Sequence, residues 1–213
     1  IEDHFEPAYH ELILCLIELE RFNEALEYLF VYTEKFEADA EIFYKIGLCY
    51  EFKNDPDKAI SFFYKALEMH TLDGNIHYHI GSCMMDNNEV QKALSYYLKA
   101  FSIDSINPTF CLSIADCYDA LSQNDKAYEY YLEACELGPD EISVWIHFIE
   151  FLIDEELFDD AFEIILKAND HIDDVILRCA EVALHIESGN RKEGFTLLGH
   201  LIQTEENIIN NIF

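Results

Sequence analysis

The residues best equipped for chemistry in this chain are nine histidines, seven cysteines and 43 carboxylates. Spacing decides what they can do. His77 and His79 resemble a metal pair, but residues two apart on a helix do not face each other. His79 and Cys83 are four apart and can share a helix face, yet Cys83 belongs to a different pattern. Cys15, Cys49, Cys83 and Cys117 recur every 34 residues at one register position. A repeated cysteine of this kind reads as a small buried group. Equivalent positions on stacked helices lie about 8–10 Å apart, beyond the ~7 Å Cα separation a disulfide tolerates. Free buried thiols fit a reducing, cytoplasmic setting. Zn-type cysteine pairs, a Gly-rich phosphate loop, HExxH and GxSxG are all missing from the sequence. The run Asp154-Glu155-Glu156 reads as a solvated turn. The expectation is a chain with no catalytic residue, no metal and no cofactor.

The elements that carry these residues announce themselves by repetition. Phe43–Ala66 reads FYKIGLCYEFKNDPDKAISFFYKA, and its skeleton returns 34 residues later at His77–Ala100 and again at Cys111–Ala134. Ile46-Gly47, Tyr50, Ala59, Phe63 and Ala66 are answered by Ile80-Gly81, Met84, Ala93, Tyr97 and Ala100. The next copy gives Ile114-Ala115, Tyr118, Ala127, Tyr131 and Ala134. A fixed period with small residues at set offsets marks two antiparallel helices per unit, stacked as a solenoid. Gly47 and Gly81 are expected at helix–helix contacts rather than in turns.

Composition narrows the partners. Forty-three acidic against 13 basic residues leave a formal charge of −30, which opposes phosphate backbones and anionic lipid. No apolar run of the roughly 18 residues that a transmembrane helix needs occurs, and no basic-then-apolar leader opens the chain. Ile1 stands where a methionine would, already close to the repeat pattern, so an excerpt or processed form is expected. Neither nucleic acid nor membrane is an expected partner; protein is.

Along the chain the units fall at about 6–39, 40–73, 74–107, 108–141, 142–174 and 175–206, a single array over 1–213. In the first, Ile13 replaces the glycine of the next two units, so that helix pair must separate more or pack differently; Ile149 does the same in the fifth. Asp55 before Pro56 and Asn107 before Pro108 are helix starts, and Gly138-Pro139 is a stop. Ile208, Ile209, Ile212 and Phe213 make one apolar face within 207–213, the start of a capping helix or a further repeat.

These offsets resemble the tetratricopeptide repeat (TPR) superfamily, with Trp145 and Pro139 also at positions its pattern favours. The resemblance implies an all-α, right-handed superhelical solenoid of antiparallel helix pairs. It further implies that the first helix of each unit lines a concave groove through a few set positions. Carried over, these are His10, Leu14 and Ile17; Tyr44, Leu48 and Glu51; Tyr78, Ser82 and Met85. They continue as Leu112, Asp116 and Asp119, then Ile146, Glu150 and Ile153, with Cys179, Ala183 and Ile186 in the sixth unit. The lysine–arginine–asparagine clamp that some family members use for acidic C-terminal tails has no counterpart among these residues, nor has an asparagine ladder. What remains is apolar and aromatic with carboxylates at its centre, suited to a basic or amphipathic protein segment. Two other classes stay open: a homo-oligomerising array, and a regulatory segment of a larger enzyme.

Overall fold

A computed structural model describes residues 6–69 and 73–212, with side chains described through 203. The described residues are helical throughout, without a strand. The helices come in pairs: α1 (Glu6–Glu18) with α2 (Phe22–Lys35), α3 (Ala40–Phe52) with α4 (Pro56–Met69), and α5 (Gly74–Asp86) with α6 (Val90–Ile103). They continue as α7 (Pro108–Ala120) with α8 (Asn124–Leu137), α9 (Ile142–Asp154) with α10 (Phe158–His171), and α11 (Val175–Glu187) with α12 (Arg191–Ile212). The apolar face expected on Ile208, Ile209, Ile212 and Phe213 lies outside the described side chains, and residues 1–5 lie outside the description. Contacts divide the chain into two compact units, Ile1–Ser105 and Ile106–Phe213.

The helix boundaries have local causes. Asp39, Asp73, Asn107 and Asp174 cap α3, α5, α7 and α11 by accepting from backbone N–H groups at 2.7–3.0 Å. Pro56 and Pro108 start their helices, where a missing N–H costs nothing. Each pair turns the same way. Glu20, Asn54, Asn88, Ser122 and Glu156 hold φ of +55° to +60° and Gly189 holds +86°. Just past each of the first five, a backbone N–H reaches back five residues, as in Arg21 to Leu16 and Leu157 to Leu152 at 2.8 Å. This is the Schellman closure that releases a chain from one helix into the next.

Small residues set how closely the helices approach. A Cβ on Gly47 would stand 2.4 Å from the Phe63 ring, and one on Gly81 would stand 2.7 Å from Tyr97. Both glycines therefore sit at helix–helix contacts. Where the same position holds Ile13 or Ile149, the pairs α1–α2 and α9–α10 pack less intimately than α3–α4, α5–α6 and α7–α8. Cys49, Cys83 and Cys117 are fully buried. Burial pushes their thiols up to about 11, 12 and 12. Cys15 departs from that column: it is exposed, because no element of the described residues packs on its side of α1.

Candidate functional site

The first helix of each pair carries the residues expected to meet a ligand. In the N-terminal unit, His10, Ile17, Tyr44, Leu48, Glu51, Tyr78, Ser82 and Met85 are half-buried and Leu14 is exposed. In the C-terminal unit, Asp116, Asp119, Ile146 and Ile153 are half-buried and Glu150 is exposed. Leu112 is 9% exposed and offers little surface; it is shorter than Tyr44 and Tyr78, which hold the same register position. Cys179 and Ala183 are exposed and Ile186 half-buried.

In the N-terminal unit the polar groups of this face largely satisfy one another. His79 Nδ1 donates to Glu51 Oε2 at 2.8 Å, bridging α5 to α3. The same imidazole packs against Tyr44, Phe63 and Tyr78 with ring centres 5.2–5.6 Å apart. From α2, Tyr32 OH donates to Glu6 Oε1 on α1 at 2.6 Å. That phenol has one proton, so His10 Nε2 must donate to Tyr32 Oη at 3.0 Å. Lys45 is the one basic residue on α1, α3 and α5, and it is buried with Nζ 2.5 Å from Glu41.

The C-terminal unit arranges similar parts differently. Tyr131 OH, from α8, donates to Asp116 Oδ1 at 2.7 Å. His147 Nδ1, from α9, stands 3.5 Å from the same oxygen. His79 and His147 hold the same position on α5 and α9, so each unit uses an imidazole to reach the preceding first helix. The Asp116 carboxylate, by hydrogen bonding and by charge, holds the His147 imidazole above its ordinary value. Asp119 has no such partner: burial, then Glu155, Asp116 and Asp154, push its carboxyl above the usual range. Neither α7 nor α9 contains a lysine or arginine.

Across the chain the cations sit elsewhere. Lys35, Lys58, Lys65, Lys92, Lys99, Lys126, Lys167, Arg191 and Lys192 are all on second helices, whereas among first helices only Lys45 and Arg178 occur. Several of the outer lysines lie over aromatic rings, such as Lys65 over Phe62 and Lys99 over Tyr96, both at 4.4 Å. Among the described residues no group of three or more His, Cys, Asp or Glu is placed to hold a metal ion. Spacing makes His79 a poor metal ligand, and nothing local in the sequence marks His147. Their spacing of two whole periods was the signal that could have linked them.

The arrangement has counterparts among known proteins. The tetratricopeptide repeat family pattern matches residues 40–69, 74–107 and 108–141. No curated protein sequence matches the chain. Among solved structures, PilF of Pseudomonas aeruginosa superimposes with a TM-score of 0.74 at 16% identity, over 95% of this chain and 92% of that one. A tetratricopeptide repeat protein of Parabacteroides merdae gives 0.73 at 16% identity, over 94% and 80%. YrrB, a TPR protein described as having an unusual peptide-binding site, gives 0.62 at 21% identity, over 82% and 89%. Three tetratricopeptide repeats are thus matched in sequence, and helix pairs of the same kind run throughout the described residues.

Proposed function

We propose that the chain is a non-catalytic protein-interaction module whose first helices take up a basic, amphipathic protein segment. The observation that carries this reading is the separation of charge. First helices present aromatic and apolar side chains with carboxylates, and their only cations are Lys45, buried on Glu41, and Arg178. Burial first, and then the charges of Glu155, Asp116 and Asp154, raise the Asp119 pKa, and a cationic side chain placed there would relieve the repulsive part. Tetratricopeptide repeat proteins bind proteins or peptides, and the peptide-binding site described for YrrB makes a peptide the apt ligand class. Affinity would come from apolar burial at residues such as Ile146 and Ile153, and selectivity from Asp119 and Glu150. Cys49, Cys83, Cys111, Cys117 and Cys135 are buried, and we assign the chain to a reducing, cytoplasmic compartment. No helix among the described residues is long and apolar enough to cross a membrane.

A lysine-rich amphipathic peptide tests the reading, with its glutamate-substituted counterpart as control. The basic peptide should bind, and more weakly as salt rises, because exposed attraction is screened over about 8–10 Å at moderate ionic strength. Asp116→Asn with Asp119→Asn should weaken it further, whereas Glu129→Gln on α8 should not. Equal binding by both variants, indifferent to salt, would leave the carboxylates as solubility groups.

A further inference from the structure

Neighbouring second helices meet differently in the two units. In the N-terminal unit the ninth residue of one second helix and the seventh of the next form an aromatic pair. Phe30 of α2 and Phe62 of α4 have ring centres 6.1 Å apart. The hydroxyls of Tyr64 on α4 and Tyr96 on α6 share a hydrogen bond of 2.7 Å. Each seventh-position ring also meets the fourth residue of the first helix between: Phe43 lies 6.5 Å from Phe62, and His77 lies 6.0 Å from Tyr96. A lysine at the tenth position completes the setting. Lys65 Nζ stands 4.4 Å from the centre of Phe62, and Lys99 Nζ 4.4 Å from that of Tyr96.

Between α8 and α10 the paired positions hold Leu132 and Ile164, both aliphatic. A cavity of about 340 Å³ stands at this joint, wholly within the C-terminal unit. That is near the lower end of the roughly 300–1,000 Å³ of ligand pockets. Leu132, Cys135 and Trp145 line it, and the polar atoms of the latter two are already satisfied. Cys135 Sγ donates to the Val144 carbonyl at 3.6 Å and Trp145 Nε1 to the Pro139 carbonyl at 2.9 Å. The fourth-position ring is present as Trp145 and the tenth-position cation as Lys167; the seventh-position ring between them is missing. Trp145 packs instead on His171, ring centres 6.0 Å apart. Lys167 is exposed and makes no hydrogen bond, ion pair or ring contact among the described residues. Glu136 at the rim marks no difference, since Glu68 holds its position beside the closed α4–α6 joint.

We propose that the α8–α10 joint binds an aromatic side chain carried by a partner protein segment. Its ring would sit among Leu132, Trp145 and Lys167, in the place that Tyr96 fills within the chain itself at the α4–α6 joint. An incoming ring covers the apolar wall and gives Lys167 the cation–π contact that Lys65 and Lys99 already make. An aliphatic side chain could fill the same volume but offers the ammonium nothing, so the site selects rings. It lies on second helices and does not depend on the acidic face of the first helices.

Trp145 is the only tryptophan in the chain, so its indole N–H resonance reads the cavity directly. N-acetyl-tyrosinamide, a tyrosine with an amide on either side, should shift that resonance saturably. N-acetyl-leucinamide should need a several-fold higher concentration. Lys167→Ala, at an exposed position, should weaken the tyrosine probe several-fold and leave the leucine probe unchanged. Ile164→Tyr supplies the missing ring from within and should abolish the shift. Should that buried substitution fold poorly, Leu132→Phe, at a half-buried position, fills the cavity from α8 and should do the same. Asp116→Asn with Asp119→Asn should leave the titration as it is, which separates this site from the first-helix face. The proposal is overturned by no saturable shift at Trp145, by equal binding of the two probes, or by a tyrosine affinity that Lys167→Ala does not change. A shift with free p-cresol but not with N-acetyl-tyrosinamide overturns it too, since the cavity would then exclude a ring borne on a peptide chain.

Discussion

In the N-terminal unit the inner carboxylate Glu51 meets one imidazole, His79, within a ring of aromatics that includes Tyr44, Phe63 and Tyr78. In the C-terminal unit Asp116 is shared between a phenol and a longer imidazole contact, and Asp119 is left among like charges. The backbone in both places is the same: the same pairing, the same turn, the same capping logic. What differs is what fills positions that packing leaves free. A repeat scaffold fixes where its small residues go and leaves the charge of its inner face to vary.

The largest effect belongs to the small residues. Gly81→Leu must push a branched side chain into the Tyr97 ring, where even a Cβ would come within 2.7 Å. Overpacking of this kind costs about 1–3 kcal/mol or more. Ile149→Leu at the same register in the C-terminal unit keeps its volume and should cost under about 1.5 kcal/mol. Thermal melts that rank the two equally would mean the glycine contacts do not set the approach of the helices.

Next in size is the Tyr131 phenol of the C-terminal unit. Tyr131 holds the register position of Phe63 and Tyr97 in the N-terminal unit, and its hydroxyl donates to Asp116 at 2.7 Å. Tyr131→Phe removes the bond and returns the site to the Phe63 arrangement. A half-buried carboxylate can recover water, so the expected loss is about 1 kcal/mol, near the middle of the range for one hydrogen bond. Denaturant melts that leave the variant at parental stability would make the phenol a packing group alone.

Much of this was legible in the residues because close approach demands small side chains. Gly47, Gly81 and the alanines at fixed offsets gave the period away, and Pro56 and Pro108 marked helix starts. The cysteine column was legible only where something covers it. Cys15 has the same type and register as Cys49 and Cys83 yet is exposed, since burial depends on the neighbouring pair and not on the residue. Leu112 was counted among the surface residues by register, but a side chain shorter than tyrosine stays below the face. The His79–Glu51 and His147–Asp116 pairs were hidden because each joins residues from two different repeats. The recurring left-handed turn was hidden too, since Glu20, Ser122 and Glu156 are not residues that announce it.

That turn gives a smaller, opposite effect. Left-handed backbone costs an ordinary L-residue about 1–2 kcal/mol, less for asparagine, whose side chain bonds locally. The N-terminal unit places Glu20, Asn54 and Asn88 there, and the C-terminal unit places Ser122, Glu156 and Gly189. Glycine relieves the strain but adds freedom to the unfolded chain. Glu156→Gly and Ser122→Gly should each therefore gain about 0.5–1 kcal/mol, and Asn88→Gly less. Equal gains at all three, or losses at Glu156, would show that the side chains contribute more than the backbone strain removes.

The smallest effect on stability, and the one most specific to the C-terminal unit, is the titration of His147. Asp116 holds its imidazole above the ordinary 6.5. A pKa raised by folding means stabilisation that is complete below the unfolded value and lost as pH rises through the folded one. The ring is close to half exposed, so solvent screens the pair and melting temperatures should move little. Proton resonance of the ring reads the effect directly. In the parent, His147 should titrate above a free histidine, and in Asp116→Asn its midpoint should fall, because the amide keeps a hydrogen-bond acceptor but loses the charge. Tyr131→Phe should move it the other way or not at all, since losing the phenol leaves Asp116 freer to serve the imidazole. A midpoint unchanged in Asp116→Asn would mean that the 3.5 Å contact carries no charge coupling, and that Asp116 is as open to a cationic ligand as Asp119.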